Sequence, residues 1–337
     1  MSMNISIVMA TCNGESHLAE QLESLRRQTL PPRELIISDD DSTDGTWAIL
    51  QNFAATAPFP VRLLRNRPRL GFQENFLGAA ARATGEWIAF CDQDDLWSAD
   101  KLDRCAALTV PSDVTLIAHQ AVLIDTNGQC LGPYQQGIAQ TGIIGVLSHA
   151  PWRLYTGFSM IFRRRVLEVL PGESRFLGSD GTLAAHDRWV SFLAQTLGRT
   201  LVLAEPLVSY RQHGGNVYGV RRRAAFGWAR RAGEEVHHVA VAARRMASLV
   251  DQMPSWTEEA FPGFDRARAR ALYAAEAAYF EGRDAIYGAT RARALGAWLT
   301  MVRSGRYWHP AEQRLRWRAA GKDLFHALVP SGAARRV

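Results

Sequence analysis

Carboxylates are the residues of this chain whose spacing first suggests chemistry. Asp92, Asp94 and Asp95 fall within four positions, straight after the apolar run Trp87 to Cys91 (WIAFC). Asp39, Asp40 and Asp41 follow a second apolar run, Glu34 to Ser38 (ELIIS). Three anions this close repel one another, which a purely structural turn gains little from. A hard divalent cation bridged to phosphate oxygens would neutralise them, so the suggested chemistry is metal-assisted handling of a phosphorylated ligand. The plainer alternative for Asp92, Asp94 and Asp95 is an Asp-rich turn with Ser98 as N-cap of the next helix.

These clusters need elements that bring them together. Trp87 to Cys91 lacks polar/apolar alternation, as expected of a strand covered on both faces in a parallel sheet. Strands are also expected at Ile5 to Ala10, Glu34 to Ser38 and Val61 to Arg65. Helices are expected from Gly14 with Leu18, Leu22 and Leu25 on one face, from Asp44 to about Ala57, and from Gly71 to Ala83. Strands alternating with helices imply an α/β, doubly wound parallel sheet, whose ligands bind at the carboxyl ends of the strands. Both acidic clusters then reach the same sheet edge, which no capping turn requires. The first strand-to-helix turn has only Gly14, so phosphates are expected on a metal rather than on a glycine-rich loop.

Further along, strands are expected at Val114 to Ala118, Ala121 to Asp125 and Leu207 to Arg211, and a short helix at Arg164 to Leu170. After Ala185-His186-Asp187-Arg188-Trp189 a helix carries Val190, Leu193 and Leu197 at helical spacing, with Asp187 a candidate N-cap. Beyond Gly219 the composition turns to Ala, Leu and Arg, which reads as helices broken near Pro254, Pro262 and Ser304 to Pro310.

The chain has 337 residues with net charge +6, but the charge is uneven. Residues 1–220 hold 18 Lys+Arg against 22 Asp+Glu; residues 221–337 hold 21 against 11, a net +10, with Trp228, Trp256, Trp298, Trp308 and Trp317. Such a surface suits nucleic acid or an anionic membrane. There is no apolar run long enough to span a bilayer. The N-terminus lacks a signal-peptide pattern, so the expected location is cytoplasmic. Cys12, Cys91, Cys105 and Cys130 are too widely spaced for a zinc knuckle and read as reduced, mostly buried thiols.

Taken together, ISIVMATCNGESHLAEQLESLRRQT, ELIISDDDSTDGT and GFQENFLGAAARATGEWIAFCDQDDLW resemble the N-terminal half of family 2 glycosyltransferases of the GT-A fold, over roughly residues 4–215. Within that family CDQDDLW, AHDRW and YRQHGGN resemble bacterial rhamnosyltransferases. The resemblance implies a GT-A domain at 1–220 followed by an Arg/Trp-rich helical region at 221–337. It places Thr11, Asn13 and Asp39 at the nucleotide, Asp39 on the base. Asp92 then sits near ribose or metal, Asp94 is the principal metal ligand, and His213 could complete the coordination sphere of Mn2+ in preference to Mg2+. Asp187 matches the general base, while His186 and Trp189 are candidates to orient the acceptor. Asp41 departs from the family, standing where glycine is usual, and Ala185 replaces the Gln of the processive Q-x-x-R-W motif, which favours transfer of one sugar.

The function implied is inverting, metal-dependent transfer from a UDP- or dTDP-sugar, best guess dTDP-L-rhamnose, to a glycan or lipid-linked acceptor in cell-surface polysaccharide synthesis. Another UDP- or dTDP-hexose is the alternative donor. Outside this class stand a sugar nucleotidyltransferase and a nucleotide-sugar-binding protein without turnover. The basic helical region is expected to pack on the catalytic domain, form a homodimer or contact the membrane peripherally; no nucleic-acid partner is expected.

Overall fold

The computed structural model describes residues 3–108, 110–148, 155–175, 184–214 and 228–328, the side chains of 228–235 aside. Strands β1 (Ile5–Thr11), β2 (Glu34–Asp39), β3 (Val61–Arg65) and β4 (Trp87–Cys91) are separated by α1 (Glu15–Arg26), α2 (Thr46–Thr56) and α3 (Phe72–Ala80). All four pair in parallel, in the order β3-β2-β1-β4. Then come β5 (Leu96–Trp97), α4 (Lys101–Ala106), β6 (Val114–Ile124), β7 (Cys130–Tyr134) and β8 (Gly142–Ile144). A 3-10 turn at Gly157–Ser159 leads into β9 (Met160–Arg163), and α5 (His186–Leu197) leads into β10 (Arg199–Arg211).

The sheet continues as β4-β9-β6-β10-β5, with β7 beside β6 and β8 beside β10. The first four strands form the doubly wound parallel part of the mostly parallel sheet expected. Beyond β4 the sheet is mixed: β9 runs antiparallel to both its neighbours, and β10 parallel to β6. Burial on both faces explains the missing alternation in β1, β2 and β4. Ile7, Met9, Leu35 and Ile37 pack with Leu18, Leu22 and Leu25 of α1 and with Phe53 of α2. Val8, Ile36, Ile88 and Phe90 pack on the other face with Phe76 of α3 and Val190, Leu193 and Leu197 of α5.

The C-terminal region comprises α6 (Trp228–Gln252), α7 (Trp256–Ala260), α8 (Arg266–Tyr287), α9 (Arg291–Arg303), the hairpin β11 (Trp308–His309) and β12 (Arg314–Leu315), and α10 (Trp317–Leu328). Met246, Leu249 and Val250 of α6 and Leu272 and Tyr273 of α8 belong to the same core as Val8 and Phe90. The Tyr273 hydroxyl also meets Thr196 Oγ1 of α5 at 2.6 Å. The later helices have a core of their own, built on Tyr279, Ile286, Met301 and Tyr307. The expected boundary at 220/221 lies outside the described residues.

Several elements differ from expectation. Val114 to Ala118 and Ala121 to Asp125 are one strand, because the polar pair His119-Gln120 is accommodated inside: His119 is fully buried, and Gln120 donates to the Ile138 carbonyl at 2.6 Å. Strand β10 begins at Arg199 rather than Leu207, and its Pro206 falls at a shift in register against β6. The short helix expected at Arg164 to Leu170 is a 3-10 helix that ends at Glu168. Ser98 does not cap the next helix; α4 begins at Lys101 with Asp100 in the cap position, and Ser98 hydrogen-bonds Asp100. Cys91 and Cys105 are buried, but Cys12 is half-buried and Cys130 exposed; all four are free thiols.

Candidate active site

Parallel pairing sets the first wall of the site. Register places Thr11 beside Asp39, and the Thr11 hydroxyl donates to Asp39 Oδ1 at 3.0 Å. Asp39 also accepts from the Ser42 backbone N–H and hydroxyl and faces Arg65 at 3.5 Å. It is fully buried. The carboxylate of this cluster that lines the cavity is Asp40, together with Arg69. Asp40 accepts from the backbone N–H groups of Leu70 at 2.8 Å and Gly71 at 2.9 Å, so it fixes the loop entering α3. Asn13 ties this loop to the first: its side-chain oxygen accepts from the Thr43 N–H at 2.9 Å, and its own N–H donates to Ser42 Oγ. Asp41 takes φ 54°, the left-handed conformation that glycine adopts freely.

Strand β4 delivers the second wall. Asp92 and Asp94 line the cavity, with Gln93 between them bridging to the Cys12 backbone through bonds of 2.9 and 3.2 Å. Asp95 turns inward, fully buried, and accepts from the Arg211 N–H at 3.0 Å. Burial, then the charges of Asp92 and Asp94, hold the Asp95 carboxyl well above the usual carboxylate range. Burial, Asp94 and Asp187 push Asp92 up to about 7. The Asp94 carboxylate meets His213 Nε2 at 2.7 Å.

Beneath these acids lie two cations that sequence reasoning did not assign. Arg211, at 1% exposure, donates to the carbonyls of Asp94 and Thr126, both at 2.9 Å, and to Glu20 at 2.6 Å. Lys101 is fully buried, donates to the Phe158 carbonyl at 2.8 Å and sits 3.4 Å above the Trp97 ring; burial pulls its pKa down to about 7. Arg211 stands within the quoted YRQHGGN, which gave a signal for it; Lys101 had none.

The third wall is the start of α5. Ala185, not Asp187, holds the cap position, without a side-chain cap bond. Asp187 lies in the first turn, accepts from the Arg188 N–H at 2.6 Å and lines the cavity with His186. Trp189 does not reach it: at 2% exposure it packs in the core, 5.8 Å from Phe192. The cavity, about 470 Å3, thus joins the ends of β1, β2 and β4, the entry to α3, the 156–157 turn and the start of α5.

His186 stacks on Phe76 at 4.0 Å and meets Phe90 edge-on at 5.0 Å. Neither ring nitrogen has a hydrogen-bond partner among the described residues, and burial lowers its pKa from 6.5 to about 4. Between those values the unfolded chain takes up a proton that the folded one refuses. Stability therefore falls as pH drops through that window, by about 3 kcal/mol from this ring at its lower end. His186→Phe should flatten the decline in urea melts between pH 6.5 and 4. Parallel curves for variant and wild type would show that this ring contributes nothing to it.

Residues 6–170 match the family model described as glycosyl transferase family 2. An uncharacterized glycosyltransferase of Nostoc sp. is 29% identical over 235 residues, covering 64% of this chain and 66% of that protein. The Escherichia coli UDP-Glc:alpha-D-GlcNAc-diphosphoundecaprenol beta-1,3-glucosyltransferase WfgD is 29% identical over 123 residues, 36% of this chain and 47% of that one. The matches thus span less than two thirds of either relative's length. Among solved structures, S. aureus TarS 1-349 in complex with UDP superposes with a TM-score of 0.57 at 16% identity, over 91% of this chain and 93% of that one. The similarity to glycosyl transferase family 2 thus covers residues 6–170 of this chain, and the fold is GT-A.

Proposed function

We propose that the chain transfers one sugar, with inversion, from a nucleoside diphosphate sugar to an acceptor hydroxyl in cell-surface polysaccharide synthesis. The observation that carries this reading is the single cavity lined by Asp92, Asp94 and Asp187. Asp187 takes the proton of the acceptor hydroxyl, whose oxygen attacks the anomeric carbon from the side opposite the diphosphate. The bond to the diphosphate oxygen breaks as the new one forms, so one displacement inverts the centre. Thr11, Cys12, Asp40 and Arg69 line the donor end in this reading, and His186 floors the acceptor end. UDP or dTDP is the proposed carrier and dTDP-L-rhamnose the first donor to test. A glycan or lipid-linked acceptor is supported by the name of the E. coli relative, which acts on a diphosphoundecaprenol-linked sugar.

The GT-A fold implies a divalent cation. Among the described residues no three His, Cys, Asp or Glu side chains form a ready coordination set. Asp94 and His213 bring one carboxylate oxygen and one imidazole nitrogen together, a pair suited to Mn2+, or with more water to Mg2+. The donors fit an ion completed by diphosphate oxygens and water, and such an ion would offset charge on the leaving diphosphate.

Thermal shift against a panel of UDP- and dTDP-sugars with Mn2+ tests the donor, since ligand at 100 times Kd stabilises by about 2.7 kcal/mol. Asp94→Asn should keep the melting temperature and lose about 10²-fold or more in turnover. Pyrophosphate release from a nucleoside triphosphate would reassign the chain to nucleotidyl transfer. Donor binding without turnover on any hydroxyl acceptor would reduce it to a binding protein.

A further inference from the structure

Ten large apolar side chains are exposed among the described residues, and seven of them lie between 299 and 328: Leu299, Val302, Trp308, Leu315, Trp317, Phe325 and Leu328. Concentration of this kind marks an interaction face, whereas scattered exposed apolar residues mark nothing. Residues 291–328 also hold eight Arg or Lys against two acids. Neither acid is outward: Asp323 is buried on Arg283, and Glu312 pairs with Arg314.

Local geometry groups these residues. Trp308 and Leu315 are cross-strand partners on β11 and β12, so they share one face of the hairpin, and both are more than half exposed. On α10 the inner side buries Asp323 and Ala327, while Trp317, Gly321, Phe325 and Leu328 are exposed with Arg318 and Lys322 beside them. Of the aromatic residues counted on in the sequence, Trp256 and Trp298 turn inward, Trp298 donating to the Ala320 carbonyl at 2.9 Å. Trp308 and Trp317 are the outward pair. The cavity of about 580 Å3 beside the hairpin is lined in part by the same Leu315, Trp317 and Arg318, and its other arginines, Arg314 and Arg316, face Glu312 and Glu276.

We infer that the outward face of α9, the β11–β12 hairpin and α10 docks on an anionic phospholipid bilayer. Trp308, Leu315 and Trp317 enter the boundary between headgroups and acyl chains, and Arg303, Arg318 and Lys322 meet the phosphates. No helix among the described residues is long and apolar enough to cross the membrane, so this contact lies on the surface. The inference stands apart from the sugar-transfer reading.

Sedimentation of the full chain with phosphatidylcholine vesicles, with and without phosphatidylglycerol, tests it. Binding should require the anionic lipid and weaken as salt shortens the screening length from about 30 Å at 0.01 M to about 8 Å at 0.15 M. Arg318→Gln with Lys322→Gln should weaken it about 30-fold, and Trp308→Ser with Trp317→Ser about tenfold or more. All four side chains are exposed or on the rim, so melting temperatures should hold; if one pair unfolds, the other carries the test. Four outcomes would overturn the inference: no binding to anionic vesicles, equal binding to phosphatidylcholine alone, wild-type binding by a folded variant pair, or tighter retention on duplex DNA than on vesicles.

Discussion

Asp187→Asn should lower kcat by about 10²–10⁴ while the melting temperature stays close to that of the wild type. Two structural facts sharpen this expectation. Asp187 faces the cavity, and it is not the cap of α5, a position held by Ala185. What the carboxylate gives the helix is an anion in the first turn and an acceptor for the Arg188 N–H. Asn keeps the acceptor and forfeits about 0.3–1 kcal/mol of interaction with the helix dipole. It cannot take the proton of an attacking hydroxyl at neutral pH. Rate and melting temperature measured on the same samples therefore separate base from helix stabiliser. Turnover within a few-fold of wild type would reject Asp187 as the base. His186 would be a poor substitute, since burial against Phe76 and Phe90 lowers its pKa to about 4 and makes it a weak proton acceptor.

The largest loss of stability is expected at Asp323→Ala. Asp323 is fully buried and accepts from Arg283 Nε at 2.8 Å and Nη2 at 2.9 Å. The hydroxyls of Tyr287 and Tyr307 donate to it at 3.1 and 3.0 Å. One carboxylate thus joins α8, α10 and the approach to β11. Removing it strands a mostly buried guanidinium and two hydroxyls, which costs about 3–5 kcal/mol. Asp323→Asn should fall between, since it keeps an acceptor for the hydroxyls but not the charge. Urea melts give the value directly, and a loss below about 1 kcal/mol would mean that Arg283 finds water instead. Vesicle binding should decline with it, because Trp317 and Arg318 begin the helix that Asp323 anchors.

The acidic clusters and the strands beneath them were legible because a strand buried on both faces advertises itself by unbroken apolar residues. Val61–Arg65 and Trp87–Cys91 match expectation to the residue. Trp189 was misread because Arg188-Trp189 matches a motif, although Trp189, Leu193 and Leu197 fall four apart and already spelled a buried helical stripe. Choosing between Asp39 and Asp40 required the register, which sets Asp39 against Thr11 and leaves its neighbour to face the cavity. Lys101 takes its partner from as far as Phe158, so no local pattern could announce it, and Arg211, though inside YRQHGGN, has its acidic partner at Glu20, near the other end of the domain. The strand expected at Leu207 begins eight residues earlier, at Arg199, because it absorbs Pro206 by shifting register.

Arg211 has a consequence for how such a chain can diversify. Its guanidinium fastens the carbonyl of Asp94 to Thr126 and to Glu20, so the acid-bearing loop belongs to the folded core and cannot drift without unfolding something else. The turn at 156–157 is tied to the sheet by other residues: Thr156 donates its N–H to Gln136, whose amide donates to the His119 carbonyl of β6. Mutations there can reshape what the cavity accepts while the acidic floor stays where it is. A change of acceptor is therefore open to small local steps, whereas a change in the floor demands several coordinated ones.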